Sequence, residues 1–126
     1  MYITPQQLVA EAKAQILEID VTTAIQHLQT DCVVIDVREP AEFEAAHLPN
    51  AVSIPRGVIE FKTPDHPVLA NRNAEIILYC KTGGRSALVA LNLQRLGYTN
   101  ILSLAGGFDA WVKHHEPIIQ DNTNFG

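Results

Sequence analysis

The stretch Ile76-Ile77-Leu78-Tyr79-Cys80-Lys81-Thr82-Gly83-Gly84-Arg85-Ser86-Ala87-Leu88-Val89-Ala90-Leu91 decides how the chain is read. Its opening residues form an apolar run of strand length, and its closing residues carry the apolar spacing of a helix. Between them lies the hexapeptide Cys80 to Arg85, with glycine at 83 and 84. A cysteine at the carboxyl end of a strand, beside glycines and just ahead of a helix start, is placed for chemistry. Backbone N–H groups of such a loop can turn inward as an anion-binding nest. The helix N-terminus adds roughly half a positive charge. Both effects favour the thiolate, which is the nucleophilic form of cysteine.

Working outward, Cys32-Val33-Val34-Ile35-Asp36-Val37 is a continuous β-branched run. That pattern suits a strand buried on both faces of a parallel sheet. Residues 76–80 and 100–104 read as further strands. A helix is predicted over 85–96, closed by Gly97, and another over 107–115. Glu39-Pro40 opens a short helix to about Ala46, and Ala51-Val52-Ser53-Ile54 is a brief strand ended by Pro55. Residues 57–75 are loop-rich, with one helical turn at 58–62. At the N-terminus Thr4 caps a helix over 5–17, with Pro5 at its first position and Gln7 completing a capping box. Ile3 and Leu8 occupy the positions of a hydrophobic staple, and Leu8, Ala12 and Ile16 form one stripe. Glu18-Ile19 is a very short strand. Asp20 caps a helix over 21–29 that turns Val21, Ala24, Ile25 and Leu28 inward. This alternation predicts an α/β fold with a mostly parallel sheet and right-handed crossovers. Active sites in such sheets lie beyond the carboxyl ends of the strands, where Cys80 stands.

At 126 residues with 47% hydrophobic and 18% charged residues, the chain suits one soluble globular domain. Its parts read as an N-terminal helical extension (1–17), a main body (18–117) and a polar tail (118–126). A net charge of −5 argues against a nucleic-acid footprint. No apolar run approaches the roughly 20 residues that span a bilayer. The start Met1-Tyr2-Ile3-Thr4-Pro5 lacks the basic and apolar regions of a secretory signal, so the expected address is cytoplasmic. Two cysteines are too few for a disulfide scaffold or a zinc set. Cys32, heading an apolar run, reads as a small buried hydrophobe. His114 and His115 point about 100° apart on a helix and do not make a metal pair. Trp111 and Phe108 read as core. Neither a metal nor a cofactor is expected.

Three ordered stretches resemble the rhodanese-like family. Asp36-Val37-Arg38-Glu39-Pro40-Ala41-Glu42-Phe43, with His47-Leu48-Pro49-Asn50-Ala51 and Ile54-Pro55, is similar to that family's first signature. Tyr79 to Ser86 resembles its active-site loop. Gly97-Tyr98 and Leu104-Ala105-Gly106-Gly107-Phe108-Asp109-Ala110-Trp111 resemble its C-terminal signature. The match runs from about residue 18 to 112 and leaves the first helix outside. It implies a three-layer rhodanese-like α/β domain with a five-stranded, mostly parallel sheet flanked by helices. Ala46 and Asn50 stand where the family usually has glycine, and asparagine tolerates the left-handed turn needed at 50.

The resemblance implies a sulfurtransferase of the thiosulfate sulfurtransferase type. Cys80 would take the outer sulfur of a small anionic donor such as thiosulfate and carry it as a covalent persulfide. A thiol, cyanide or protein cysteine would accept it. Lys81, Thr82, Gly83, Gly84, Arg85 and Ser86 would form the persulfide-binding loop through their backbone N–H groups. Lys81 and Arg85 add local positive charge, and Arg85 either faces the donor or pairs with a carboxylate. Asp36, Arg38 and His47 match the structural signature: Asp36, Arg38 and Glu39 read as a structural polar network, and His47 as a buried, hydrogen-bonded histidine. Arg56 is a candidate on the substrate side. Four residues separate Cys80 from Arg85, whereas cysteine phosphatases have five. Within the family the six-residue loop goes with sulfur transfer, and a seven-residue loop with phosphatase or arsenate-reductase members. The competing reading is a non-catalytic interaction or regulatory module. A redox sensor would need a resolving thiol, for which Cys32 is poorly placed.

Overall fold

The chain runs through α1 (Pro5–Lys13), β1 (Leu17–Ile19), α2 (Val21–His27), β2 (Val33–Asp36), α3 (Pro40–Ala45), β3 (Ala46–His47) and β4 (Val52–Ser53). It continues through α4 (Ile59–Lys62), a 3₁₀ turn (Pro67–Leu69), β5 (Glu75–Tyr79), α5 (Gly84–Arg95), β6 (Asn100–Leu104), α6 (Gly107–Lys113) and β7 (Ile119–Gln120). This computed structural model describes residues 1–120, so residues 121–126 of the expected polar tail lie outside the described part.

Five parallel strands form one sheet in the order β1-β6-β5-β2-β4. β5 is central, with Leu78 opposite Ile35 of β2 on one side and Ser103 of β6 on the other. The continuous apolar runs follow from burial on both faces. Ile76, Leu78 and Cys80 pack with Ile35, Val37, Val89 and Leu93 under α5. Ile77 and Tyr79 face the other way, against Val34, Leu104, Ala24 of α2 and Trp111 of α6. This is the expected α/β rhodanese fold, and it delivers Cys80 to the middle of the sheet's carboxyl edge.

The N-terminal capping box forms as read: Thr4 Oγ1 accepts from the Gln7 N–H at 3.1 Å, and Gln7 Oε1 from the Thr4 N–H at 2.8 Å. Helix α1 nevertheless stops at Lys13, short of residue 17. Gln15 N–H bonds back only to Ala12, and Leu17 joins the expected Glu18-Ile19 strand in pairing with Leu102–Leu104 of β6, so the sheet claims the last residue that the helix was expected to hold. Of the expected inward stripe, Ala12 and Ile16 turn inward, whereas Leu8 is 47% exposed and Val9 takes its place as α1 packs along α5. Asn50 adopts φ 64°, making the turn expected of it. The pairing of β3 with β7, antiparallel through Ala46–Gln120 and His47–Ile119, was not anticipated, because two-residue strands have no readable period. Cys32 is half-buried rather than buried; burial pushes its thiol up to about 12, with the charge of Glu75 adding to the effect.

Candidate active site

Cys80 lies three residues ahead of the N-cap of helix α5. Gly83 is the helix's N-cap residue, at φ +105°, and has no side chain with which to cap. The cysteine sulfur takes that role: Sγ accepts from the Gly83 N–H at 3.1 Å and from the Ser86 N–H at 3.4 Å. N–H groups left unpaired at a helix start therefore converge on one sulfur atom. The Ser86 hydroxyl lies 3.7 Å from Sγ. Cys80 is 1% exposed and Ser86 is fully buried.

A second loop locks the first. Phe108 N–H donates to the Cys80 carbonyl at 2.8 Å, and Asp109 N–H to the Lys81 carbonyl at 3.0 Å. The start of α6 thus caps the carbonyls on which the cysteine loop begins. The approach requires glycine: a Cβ on Gly107, at φ +57°, would sit 2.5 Å from the Cys80 carbonyl oxygen and 2.7 Å from the Lys81 carbonyl carbon.

Both cations of the loop are engaged by carboxylates. Arg85 Nη1 and Nη2 meet Glu42 Oε1 and Oε2 at 2.9 and 3.2 Å in a bidentate pair. The Arg85 hydrogen bonds hold the Glu42 carboxyl down at about 2. Lys81 Nζ is 3.0 Å from Asp109 Oδ1, with both side chains about half exposed. The positive charge expected at the loop is therefore largely balanced. Of the two readings of Arg85, its partner is the carboxylate. Thr82 is exposed and Gly84 lies beneath Val9 of α1, whose Cγ2 would be 3.6 Å from a Cβ there.

Asp36 and Arg38 form a buried pair beside the loop, 0% and 4% exposed. Arg38 Nε reaches both Asp36 oxygens at 3.1 Å, and Nη2 donates to Asp36 Oδ2 at 2.7 Å and to the Ala46 carbonyl at 2.6 Å. Its guanidinium also lies over the Phe108 ring, 4.5 Å from the centroid. His47, expected buried, is half-buried, stacked on Phe43 at 3.8 Å with Nδ1 3.0 Å from the Phe43 carbonyl. Arg56 is exposed after β4, its N–H bonded to the Val37 carbonyl at 3.0 Å. A cavity of about 300 Å³ lined by Leu17, His27, Glu75 and Thr99 opens at the amino-terminal end of the strands, away from Cys80. Two contributors escaped the sequence reading. Ser103, fully buried, places Oγ 2.8 Å from Ser86 Oγ; a lone serine inside Ile101-Leu102-Ser103-Leu104 was the available signal. The pairing partner of Arg85, Glu42, stands within the Asp36–Phe43 signature, but nothing in that stretch points it to Arg85.

Residues 20–114 match the model of the rhodanese-like domain. The chain belongs to the rhodanese-like family. Among its relatives is a sulfurtransferase of Allochromatium vinosum, 32% identical over 104 residues, covering 81% of this chain and 94% of that protein. The thiosulfate sulfurtransferase GlpE of Coxiella burnetii is 32% identical over 94 residues, covering 75% of this chain and 83% of that protein. A solved structure from Rhodopseudomonas palustris, described as a protein of unknown function and possible tyrosine phosphatase, superposes with a TM-score of 0.84 at 29% identity, covering 94% of this chain and 96% of that one. As a rhodanese-like protein of the sulfurtransferase kind, the chain presents its loop cysteine where the sheet ends. Among the described residues no helix is long and apolar enough to cross a membrane.

Proposed function

We propose that the protein moves sulfane sulfur through a persulfide on Cys80, with thiosulfate as a donor it can use. The observation that carries this reading is the convergence of the Gly83 and Ser86 N–H groups on Sγ, at 3.1 and 3.4 Å. The thiolate lone pair forms a bond to the outer sulfur of thiosulfate. The S–S bond of the donor breaks, and its electron pair departs with sulfite. An acceptor thiol or cyanide then attacks the outer sulfur of the persulfide, and the pair returns to Cys80. The loop N–H groups stabilise the negative sulfur at both ends of this cycle. With Lys81 and Arg85 paired, these backbone donors and the start of α5 are the principal attraction for an anion.

Loop size supports sulfur over phosphate as cargo. Four residues separate Cys80 from Arg85, and Arg85 is turned to Glu42 rather than left to clamp a tetrahedral oxyanion. A cysteine 1% exposed also suits a reagent that offers one sulfur atom at its tip. The two free cysteines fit a reducing compartment such as the cytoplasm. The test is thiocyanate formation from thiosulfate and cyanide, with mass spectrometry of the protein after exposure to thiosulfate alone. Wild type is expected to turn over and to gain one sulfur atom on Cys80, and Cys80→Ser to do neither. Equal thiocyanate rates from both, with no mass gain, would refute the proposal.

A further inference from the structure

Behind Cys80, where α5 packs on β6, lie two hydroxyls with no contact to solvent. Ser86 of α5 and Ser103 of β6 are each 0% exposed, in a largely apolar layer. Buried hydroxyls persist where their hydrogen bonds are satisfied. The Ser86 oxygen has three neighbours: Cys80 Sγ at 3.7 Å, the Gly83 carbonyl at 3.3 Å and Ser103 Oγ at 2.8 Å. A hydroxyl carries one proton and accepts twice, so Ser86 cannot donate to all of them at once. With Cys80 as a thiol, the S–H donates to Ser86, and Ser86 donates onward to the Gly83 carbonyl or to Ser103. With Cys80 negative, the sulfur becomes an acceptor, and the Ser86 proton is best spent on it. Ser86 then needs a donor of its own, and the Ser103 O–H is in place.

We propose that Ser86 and Ser103 form a two-position hydroxyl relay, in which Ser103 donates to Ser86 whenever Ser86 turns its O–H onto a negatively charged Cys80 sulfur. No proton leaves either serine; two O–H bonds rotate, and the charge on sulfur gains a third donor beside the Gly83 and Ser86 N–H groups. The same rotation serves the cysteine when the acceptor removes the outer sulfur and the electron pair returns to Sγ. Ser86 touches the reacting atom. Ser103 touches only Ser86 and is a positioning residue.

The inference rests on Cys80 being the nucleophile, as proposed above, yet it is tested without sulfur transfer. Iodoacetamide labelling of Cys80 across pH, located by mass spectrometry, reads the thiolate fraction of the resting protein with no donor present. Several charges also surround the loop: Lys81 and Arg85 within it, Asp109 and Glu42 paired with them, Lys13 of α1 with Glu18 of β1 behind Gly83, and the Asp36–Arg38 pair. The serine variants leave all of these in place. Ser86→Ala is expected to raise the labelling midpoint by about one pH unit, the worth of a hydrogen bond to a charged group. Ser103→Ala is expected to raise it by about half as much. The double variant is expected to match Ser86→Ala alone, because Ser103 acts through Ser86. Ser103→Thr, which keeps the hydroxyl, is expected to retain the wild-type midpoint. A Ser103→Ala profile superimposed on wild type, an additive double variant, or an equal shift in Ser103→Thr would each overturn the relay. A wild-type protein that labels normally but transfers no sulfur would refute the function and leave the relay standing.

Discussion

Arg85 and Glu42 are each about a third exposed and bound through two hydrogen bonds, a geometry in which the guanidinium fork is fully matched. The pair joins the start of α5 to α3 and keeps a charged side chain out of the sulfur's way. The Arg85 bonds depress the Glu42 carboxyl from 4.5 to about 2, so their stabilisation is complete above about pH 4.5 and lost as pH falls towards 2. Solvent screening at this exposure reduces the worth of the pair to about 1 kcal/mol. Glu42→Gln is therefore expected to lose about 1 kcal/mol in urea unfolding at neutral pH, with the gap to wild type narrowing as pH falls through 4 to 3. An undiminished gap at acid pH would assign the loss to something other than charge. Chemistry at Arg85 was legible as a choice between donor and carboxylate. The sequence could not name Glu42, because the contact is made by two helices whose docking depends on the whole sheet.

The element that most shapes the site is the β6–α6 connection, which sets Gly107 against the carbonyls of Cys80 and Lys81. Gly106-Gly107 was legible as a signature, yet its purpose appears only when the loops after β5 and β6, strands adjacent in the sheet, are seen side by side. Any Cβ at 107 must displace the Cys80 loop or break the 2.8 and 3.0 Å bonds from Phe108 and Asp109. Positive φ adds strain for a non-glycine residue. Gly107→Ala is expected to cost about 2 kcal/mol of stability and, because the sulfur's donors shift with the loop, to lower thiocyanate formation at least about tenfold. Parallel measurement of unfolding and turnover checks this; a variant with reduced stability and full turnover would separate the clamp from the chemistry. Element boundaries were less legible than element types. Helix α1 is read four residues too long because nothing local marks Leu17 as strand until β6 is present to pair it with Leu102.

At the scale of the whole molecule, the central strands could be read because each is apolar along its length, and two-sided burial is the condition that makes them so. Cross-layer connections could be read only in part. Asp36 and Arg38 are legible as a polar network, but not its reach: Asp36 ends β2 opposite Tyr79, and Arg38 spans from it to the Ala46 carbonyl at β3 and the Phe108 ring on α6. One guanidinium thus holds the sheet's carboxyl edge, the α3–β3 turn and the helix whose start clamps the cysteine loop. Both charges are withdrawn from water, so the pair's net contribution is smaller than the cost of breaking it. Asp36→Asn keeps the shape, removes the charge, and leaves Arg38 buried without its counter-ion. The expected loss is about 3 kcal/mol in urea unfolding, a large part of the stability of a domain this size. Replacing both partners, as Asp36→Asn with Arg38→Met, is expected to cost less than the sum of the single losses, since no buried charge is left unpaired. Strict additivity of the two losses would mean that Asp36 and Arg38 act separately, and that the three layers are tied at the active edge by packing alone.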